Sequence, residues 1–309
     1  MSIVVGIAPG QDNRAALELG IVLARSYSQD LDLASINSAA WPPGRISVGA
    51  DYQAHIRRLA RESLDEARSL VPDDVVVATH VHDAVSSRRG LLEMCERLEA
   101  LRLVVGPAAD GPADRVHLGS VSSGLLHSAE LPVALAPEGF TAEAGARLQR
   151  ITAAYSGSST SAELILGAAV VAAEAGVPLR IASFAPRSRV LSAAGIGLEV
   201  EAKLIDEWKA TIREDIAEIL SEIEQLPARP ESVDVEVGTG ASWGQALGGV
   251  SWDEPEVMML GSSGLGVLKR VALGSHAVKI LQNSPVPVVV VPRRAKEDYS
   301  AGVLGPGRG

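Results

Sequence analysis

Gly261-Ser262-Ser263-Gly264-Leu265-Gly266-Val267-Leu268-Lys269-Arg270-Val271-Ala272-Leu273-Gly274-Ser275 follows the apolar run 257–260 and leads towards Pro285-Val286-Pro287-Val288-Val289-Val290-Val291. Read locally this is a strand, a glycine-rich loop, the start of a helix and a second strand. Gly261 ends the first strand without a Cβ, Gly264 can adopt positive φ, and Gly274-Ser275 opens a helix with unfilled N–H groups and a hydroxyl. In open parallel α/β sheets, ligands bind beyond the carboxyl ends of the strands, where helix N-termini attract anions. The spacing G-x-x-G, nine residues, G-S is therefore suited to wrapping a polyphosphate.

Working outward, the same grammar occurs twice. Residues 3–36 align without gaps on 151–184, and Gly106, Gly119, Ser120, Pro132, Val133 and Pro137 align on Gly261, Gly274, Ser275, Pro287, Val288 and Pro292. The offset grows from 148 to 155, which places a net seven extra residues inside the second half. A repeat of that length is domain-sized and implies duplication of a whole fold. Strands are expected at 3–8, 31–38, 74–81, 101–106 and 132–136, then at 151–155, 179–184, 232–238, 257–261 and 286–291. Amphipathic helices lie between; across 51–71, for example, Ile56, Leu59, Ala60, Leu64, Ala67, Leu70 and Val71 recur at helical spacing. Strands alternating with helices predict an α/β protein of two tandem domains, each a five-stranded parallel sheet with helices on both faces. The expected limits are 1–140 and 148–293, followed by a flexible tail over 294–309.

Composition narrows the partners. The chain has 309 residues, a formal charge of −10, 47% hydrophobic and 3% aromatic residues, enough for aliphatic cores in two domains. With no basic run, it lacks the electrostatic footprint for nucleic acid or an anionic membrane surface. The opening Met1-Ser2-Ile3-Val4-Val5-Gly6 has no basic leader pattern, and the longest apolar run, 165–173, falls far short of the ~20 residues that span a bilayer. The single cysteine, Cys95, excludes an intramolecular disulfide and a cysteine zinc cage. A cytoplasmic location is the expectation.

The loop, the preceding strand and the Pro-Val-rich last strand together resemble the universal stress protein family, whose nucleotide-binding members carry the G-x-x-G-x9-G-(S/T) pattern. The resemblance covers both halves and implies an adenine nucleotide alpha hydrolase-like, Rossmann-like fold. It implies a stress-response or signalling role through binding ATP or another adenine nucleotide, with or without Mg. The matching second-half positions are Ser156, Gly157, Ser158, Phe184, Gly261, Ser263, Gly264, Gly274, Ser275 and His276, the base being held by backbone near Ser183-Phe184. In the first half Gly106, Gly119 and Ser120 match, but Ala109 replaces the second glycine, at a cost of roughly 1–2 kcal/mol in a left-handed turn. The first loop also carries Asp110 and Asp114 against Arg115, whereas the second carries Lys269 and Arg270. The second half is thus expected to bind and the first to be degenerate. Both halves depart from the family in lacking the Asp that closes the first strand and holds the ribose: Ala8 and Ser156 stand there. The family's last strands pair across a two-fold, which implies an intramolecular pseudo-dimer, with a homodimer as the alternative.

Other readings carry less. A structural or interaction module without nucleotide is the rival. An ATP-hydrolysing enzyme comes third, since no general base is placed beside the phosphate loop, and a nucleotidyl-transferring one rests on a faint match of 156–161 to the S-G-G-x-D-S loop of ATP pyrophosphatases. No catalytic residue is assigned. His80 and His82 point to one side of a strand with Asp83 next to them, but no third ligand at helical or loop spacing is evident. Cys95, among Leu91, Leu92, Met94 and Leu98, reads as core. Asp73-Asp74 and Asp253-Glu254 read as solvent charges beside strands.

Overall fold

Runs such as Ile3-Val4-Val5 and Val288-Val289-Val290-Val291 are β-branched and apolar on both alternating faces, the pattern of strands covered on two sides. In the computed structural model, which describes residues 2–38, 50–108, 115–186, 198–262 and 274–292, these runs form parallel sheets. The loop positions 263–273 and the tail 294–309 lie outside the described residues. The chain divides into two compact units, one running to Arg147 and the other starting at Leu148.

In the first unit the order along the chain is β1 (Ser2–Gly6), α1 (Arg14–Tyr27), β2 (Asp30–Ser38), α2 (Ala50–Ser69), β3 (Val77–Ala84), α3 (Ser87–Arg97), β4 (Arg102–Val105), α4 (Ser120–Leu126) and β5 (Val133–Leu135). The strands lie side by side as β3-β2-β1-β4-β5, all parallel. The second unit repeats this with β6 (Arg150–Ala154), α5 (Ser159–Ala175), β7 (Leu179–Pro186), α6 (Leu198–Glu224), β8 (Val233–Gly240), α7 (Trp243–Gly248), β9 (Glu256–Gly261), α8 (Ser275–Asn283) and β10 (Val288–Val291). Its strands run β10-β9-β6-β7-β8, again parallel. The extra residues of the second half fall in the helix after the second strand: α6 has 27 residues where α2 has 20.

Two expectations shift. The third strand begins at Val77 rather than 74, because its pairing with β2 starts at Leu31↔Val77 while Val75 N–H still bonds back to Pro72. Leu70 lies past the end of α2 and is half exposed, whereas Ala60, Leu64 and Ala67 form the buried stripe.

The repeat preserves devices as well as elements. Position 13 and its counterpart 161 each fasten the loop after the first strand. Asn13 Oδ1 accepts from Ala8 N–H at 2.7 Å, and Ser161 Oγ accepts from the N–H groups of Ser156 and Ser158 at 3.3 and 3.1 Å. Across the second and third strands a polar pair is kept with the acidic side chain moved to the other strand: Asp32–His80 at 2.6 Å in the first unit, Arg180–Glu236 at 3.1 Å in the second.

That second pair belongs to a buried network at the amino ends of β6, β7 and β9. Arg180 and Glu256, each 1% exposed, are joined at 2.6 Å, and Arg180 Nε donates to Thr152 Oγ1 at 2.9 Å. Thr152 Oγ1 in turn donates to Glu256. Arg150 reaches the other Glu256 oxygen and Asp253, both at 2.9 Å, and Trp252 covers Arg180 with its ring 4.6 Å away. Burial lowers the Arg180 pKa against the pull of Glu256; for Arg150, burial acts the same way but Glu256, Asp253 and Glu236 together outweigh it and hold the group above its ordinary value. Asp253 is therefore an ion-pair partner as well as a solvent charge. The same correction applies to Asp74, which grips the buried Arg25 through two hydrogen bonds of 2.7 and 2.8 Å.

Candidate functional site

Each strand order reverses direction between the first and fourth strands of its unit, and the carboxyl ends of those strands frame a crevice. In the second unit this crevice is bordered by the loop after β6, the end of β9 and the N-terminus of α8. Ser156, Gly157 and Ser158 form the loop, exposed, with Gly157 at φ +77°, a conformation that a side chain would strain. Ser158 caps α5, accepting from Ser161 N–H at 3.3 Å, so part of its hydrogen-bonding capacity is already used. Ser156 Oγ lies 3.1 Å from Ser158 Oγ and donates to Ser161 Oγ at 3.3 Å. Gly261 closes β9, Gly274 is the N-cap of α8, and Ser275 and His276 are its first residues. Ser263 and Gly264, with Lys269 and Arg270, lie outside the described residues.

Phe184 sits in β7, 8% exposed, with its ring stacked on Trp252 at 6.5 Å. Its side chain is committed to packing, which leaves its backbone as the part that can meet a base. Sequence reasoning missed Trp243. This residue opens α7 beside α8, and its ring lies 5.3 Å from that of His276, tilted by 48°, with Lys279 Nζ 6.0 Å away. The signal was available, since Trp243 directly follows the helix-capping Ser242, whose hydroxyl accepts from Gln245 N–H.

The decisive difference between the units is at the helix that follows the fourth strand. In the first, Gly106 follows β4, Gly119 caps α4 and Ser120 begins it. Ser122 Oγ accepts from Gly119 N–H at 2.9 Å and donates back to Gly119 carbonyl at 3.2 Å, filling the N–H that an anion would use. At the matching place in α8 stands Ala277, which has no polar side-chain atom. The first turn of α8 has no acidic residue, so its dipole is not offset there.

The remaining candidates resolve into pairs. His80 bonds Asp32 at 2.6 Å and His82 bonds Glu93 at 2.9 Å, while Asp83 points to the opposite face of β3 and holds Arg57 and Asn37. The three do not converge, and among the described residues no group of three or more His, Cys, Asp or Glu is arranged to hold a metal ion. Cys95 is buried, and burial pushes its thiol up to about 12, far from thiolate reactivity. No helix among the described residues is long and apolar enough to cross a membrane.

Two parallel α/β units, each opening its crevice at the strand reversal, with a glycine-rich loop after the fourth strand, define a tandem Rossmann-like protein. The family model of the universal stress protein family matches residues 1–137 and again 147–292, and the chain belongs to that family. A universal stress protein of Mycobacterium tuberculosis and one of Mycobacterium bovis are each 36% identical over 298 residues, covering 94% of this chain and all of theirs. Among solved structures, a universal stress protein of Archaeoglobus fulgidus covers 94% of this chain and 98% of its own at 16% identity and TM-score 0.57. A functionally unknown protein of Pseudomonas aeruginosa covers 97% and 96% at 18% identity and TM-score 0.54. Both show the fold alone. A universal stress protein in complex with cAMP matches 43% of this chain and 94% of its own at 22% identity and TM-score 0.30.

Proposed function

We propose that this chain is a stress-response protein of the cytoplasm that binds an adenine nucleotide, ATP foremost, in its second unit. The observation that carries the reading is Ala277 in place of Ser122: it leaves Gly274 N–H without the hydroxyl that fills Gly119 N–H in the first unit. The phosphates would lie on the N-terminus of α8, with Gly274, Ser275 and His276 as donors and Lys269 and Arg270 as the adjacent positive charge. Gly261, Ser263 and Gly264 would form the rest of the loop. Ser156 takes the place of the ribose carboxylate with a single hydroxyl, and Ser158 stands beside it; Mg, where present, would arrive on the polyphosphate. Binding would change the protein's partners rather than turn over a metabolite.

The engaged hydroxyl of Ser156 favours a second reading, an interaction module of the same fold without nucleotide. Mass spectrometry of the native, freshly purified protein separates the two. An adenine nucleotide released on denaturation in near-stoichiometric amount is expected. Its absence, together with no uptake on incubation with ATP, AMP or ADP, selects the interaction module.

A further inference from the structure

Within each unit the sheet ends on its third strand, β3 in the first and β8 in the second, and among the described residues neither pairs with a strand on its outer side. Each is eight residues long and presents backbone N–H and C=O groups along that edge, a template that a further strand can complete. Edges are commonly blunted by lysine or proline. Neither strand contains either residue, and each exposes a valine instead, Val81 at 37% and Val235 at 36%. We propose that β3 of one chain pairs antiparallel with β8 of a second copy of this chain.

The two edges match face by face. On β3, Val77, Thr79 and Val81 share with Asp83 the face towards α2, while His80 and His82 lie on the face towards α3. β8 repeats this, with Val233, Val235 and Val237 on one face and Asp234 and Glu236 on the other, the face on which Gly238 meets α7. Both free edges lie on the same hand of their sheets. Half a turn about the sheet normal therefore brings them together antiparallel with like faces aligned, whereas parallel pairing would set valines beside charges. A register with Val81 opposite Val235 sets Thr79 opposite Val237, His82 opposite Asp234 and His80 opposite Glu236. Joining β8 to β8 would oppose acids to acids, and β3 to β3 histidines to histidines.

The histidines make the contact sensitive to pH. His80 is fastened to Asp32 of β2 and His82 to Glu93 of α3, which Arg89 also holds, while Arg57 of α2 pairs with Asp83 on the far face. Arg88 and Arg89 are exposed in the first turn of α3 beside this row. Glu236, held by Arg180, keeps its side chain 35% exposed, and Asp234 is exposed. An imidazole that donates to its own carboxylate through one ring nitrogen can donate to a second carboxylate only when both nitrogens carry protons. Joining the edges therefore takes up protons, and assembly strengthens as pH falls through the range in which histidine changes charge. One chain carries one edge of each kind, so the contact is heterologous and links chains into rings or open rows.

The test is sedimentation velocity of the full chain over ~5–200 µM, the range of a small, weak interface, at pH 6 and pH 8. The weight-average mass is expected to rise with concentration at pH 6 and to rise less at pH 8. Val81→Lys and Val235→Lys each blunt one edge, so neither variant alone should grow. Their equimolar mixture retains one edge of each kind and should reach about twice the limiting mass of either variant and go no further. If one of them does not fold, Thr79→Lys or Val237→Lys, on the same rows, takes its place. The proposal is overturned if the wild-type mass does not change with concentration, if either variant alone grows as the wild type does, or if growth is as strong at pH 8 as at pH 6.

Discussion

At the scale of single residues, the two units differ most consequentially at one pair of positions, 122 and 277. A serine three residues into a helix can fold back on the N-cap N–H, and Ser122 does so on Gly119. An alanine cannot. Ala277→Ser adds a single hydroxyl. It is therefore expected to convert the start of α8 into a copy of α4 and to weaken ATP binding by about tenfold, measured by calorimetry, since one hydrogen bond to a charged group would be lost. Unchanged affinity would show that Gly274 N–H is not a phosphate donor. The glycines at these places were legible in the sequence, because only their spacing was needed. The role of Ser122 was not, because a serine at a helix start has several local partners and only coordinates choose among them.

At the scale of elements, each strand's existence followed from its apolar pattern, but polar residues inside strands could be interpreted only with their neighbours in place. Arg180, Thr152 and Glu256 break the apolar pattern of β6, β7 and β9, and their partners are supplied by strands far away in sequence. Glu256→Gln would take one of two carboxylate partners from the buried Arg180 and from the partly buried Arg150, a loss of about 3–5 kcal/mol. A fall of roughly 10 °C in the thermal midpoint is expected for a unit of this size. In the first unit, Asp74, Asp83 and Glu93 are all held below the ordinary carboxylate range, by Arg25, by Arg57 with Asn37, and by His82 with Arg89. Groups of lowered pKa stabilise fully above their unfolded values, near 4, and that contribution disappears as pH falls through the folded values. Asp74→Asn should lower the thermal midpoint at pH 6 more than at pH 3. A difference that is the same at both would remove the Arg25 pair from the account.

At the scale of the whole molecule, duplication supplied two similar crevices and subsequent divergence made them unlike. The loop fasteners at 13 and 161 are preserved in function although one uses an amide and the other a hydroxyl, and the cross-strand polar pair survives with its acidic member on the opposite strand. The helix starts diverged in the opposite sense, one filled by its own Ser122 and the other with Ala277 at that place. Net charge gives no hint of this: a chain at −10 can hold an anion where glycine backbone, a helix N-terminus and local cations set the field. The measurement that bears most directly on that asymmetry is calorimetric titration of ATP into the wild-type chain, Gly274→Val and Gly119→Val. One site per chain, lost in Gly274→Val and retained in Gly119→Val, is the result expected. Binding that survives Gly274→Val and disappears in Gly119→Val would contradict the account, placing the nucleotide in the first unit.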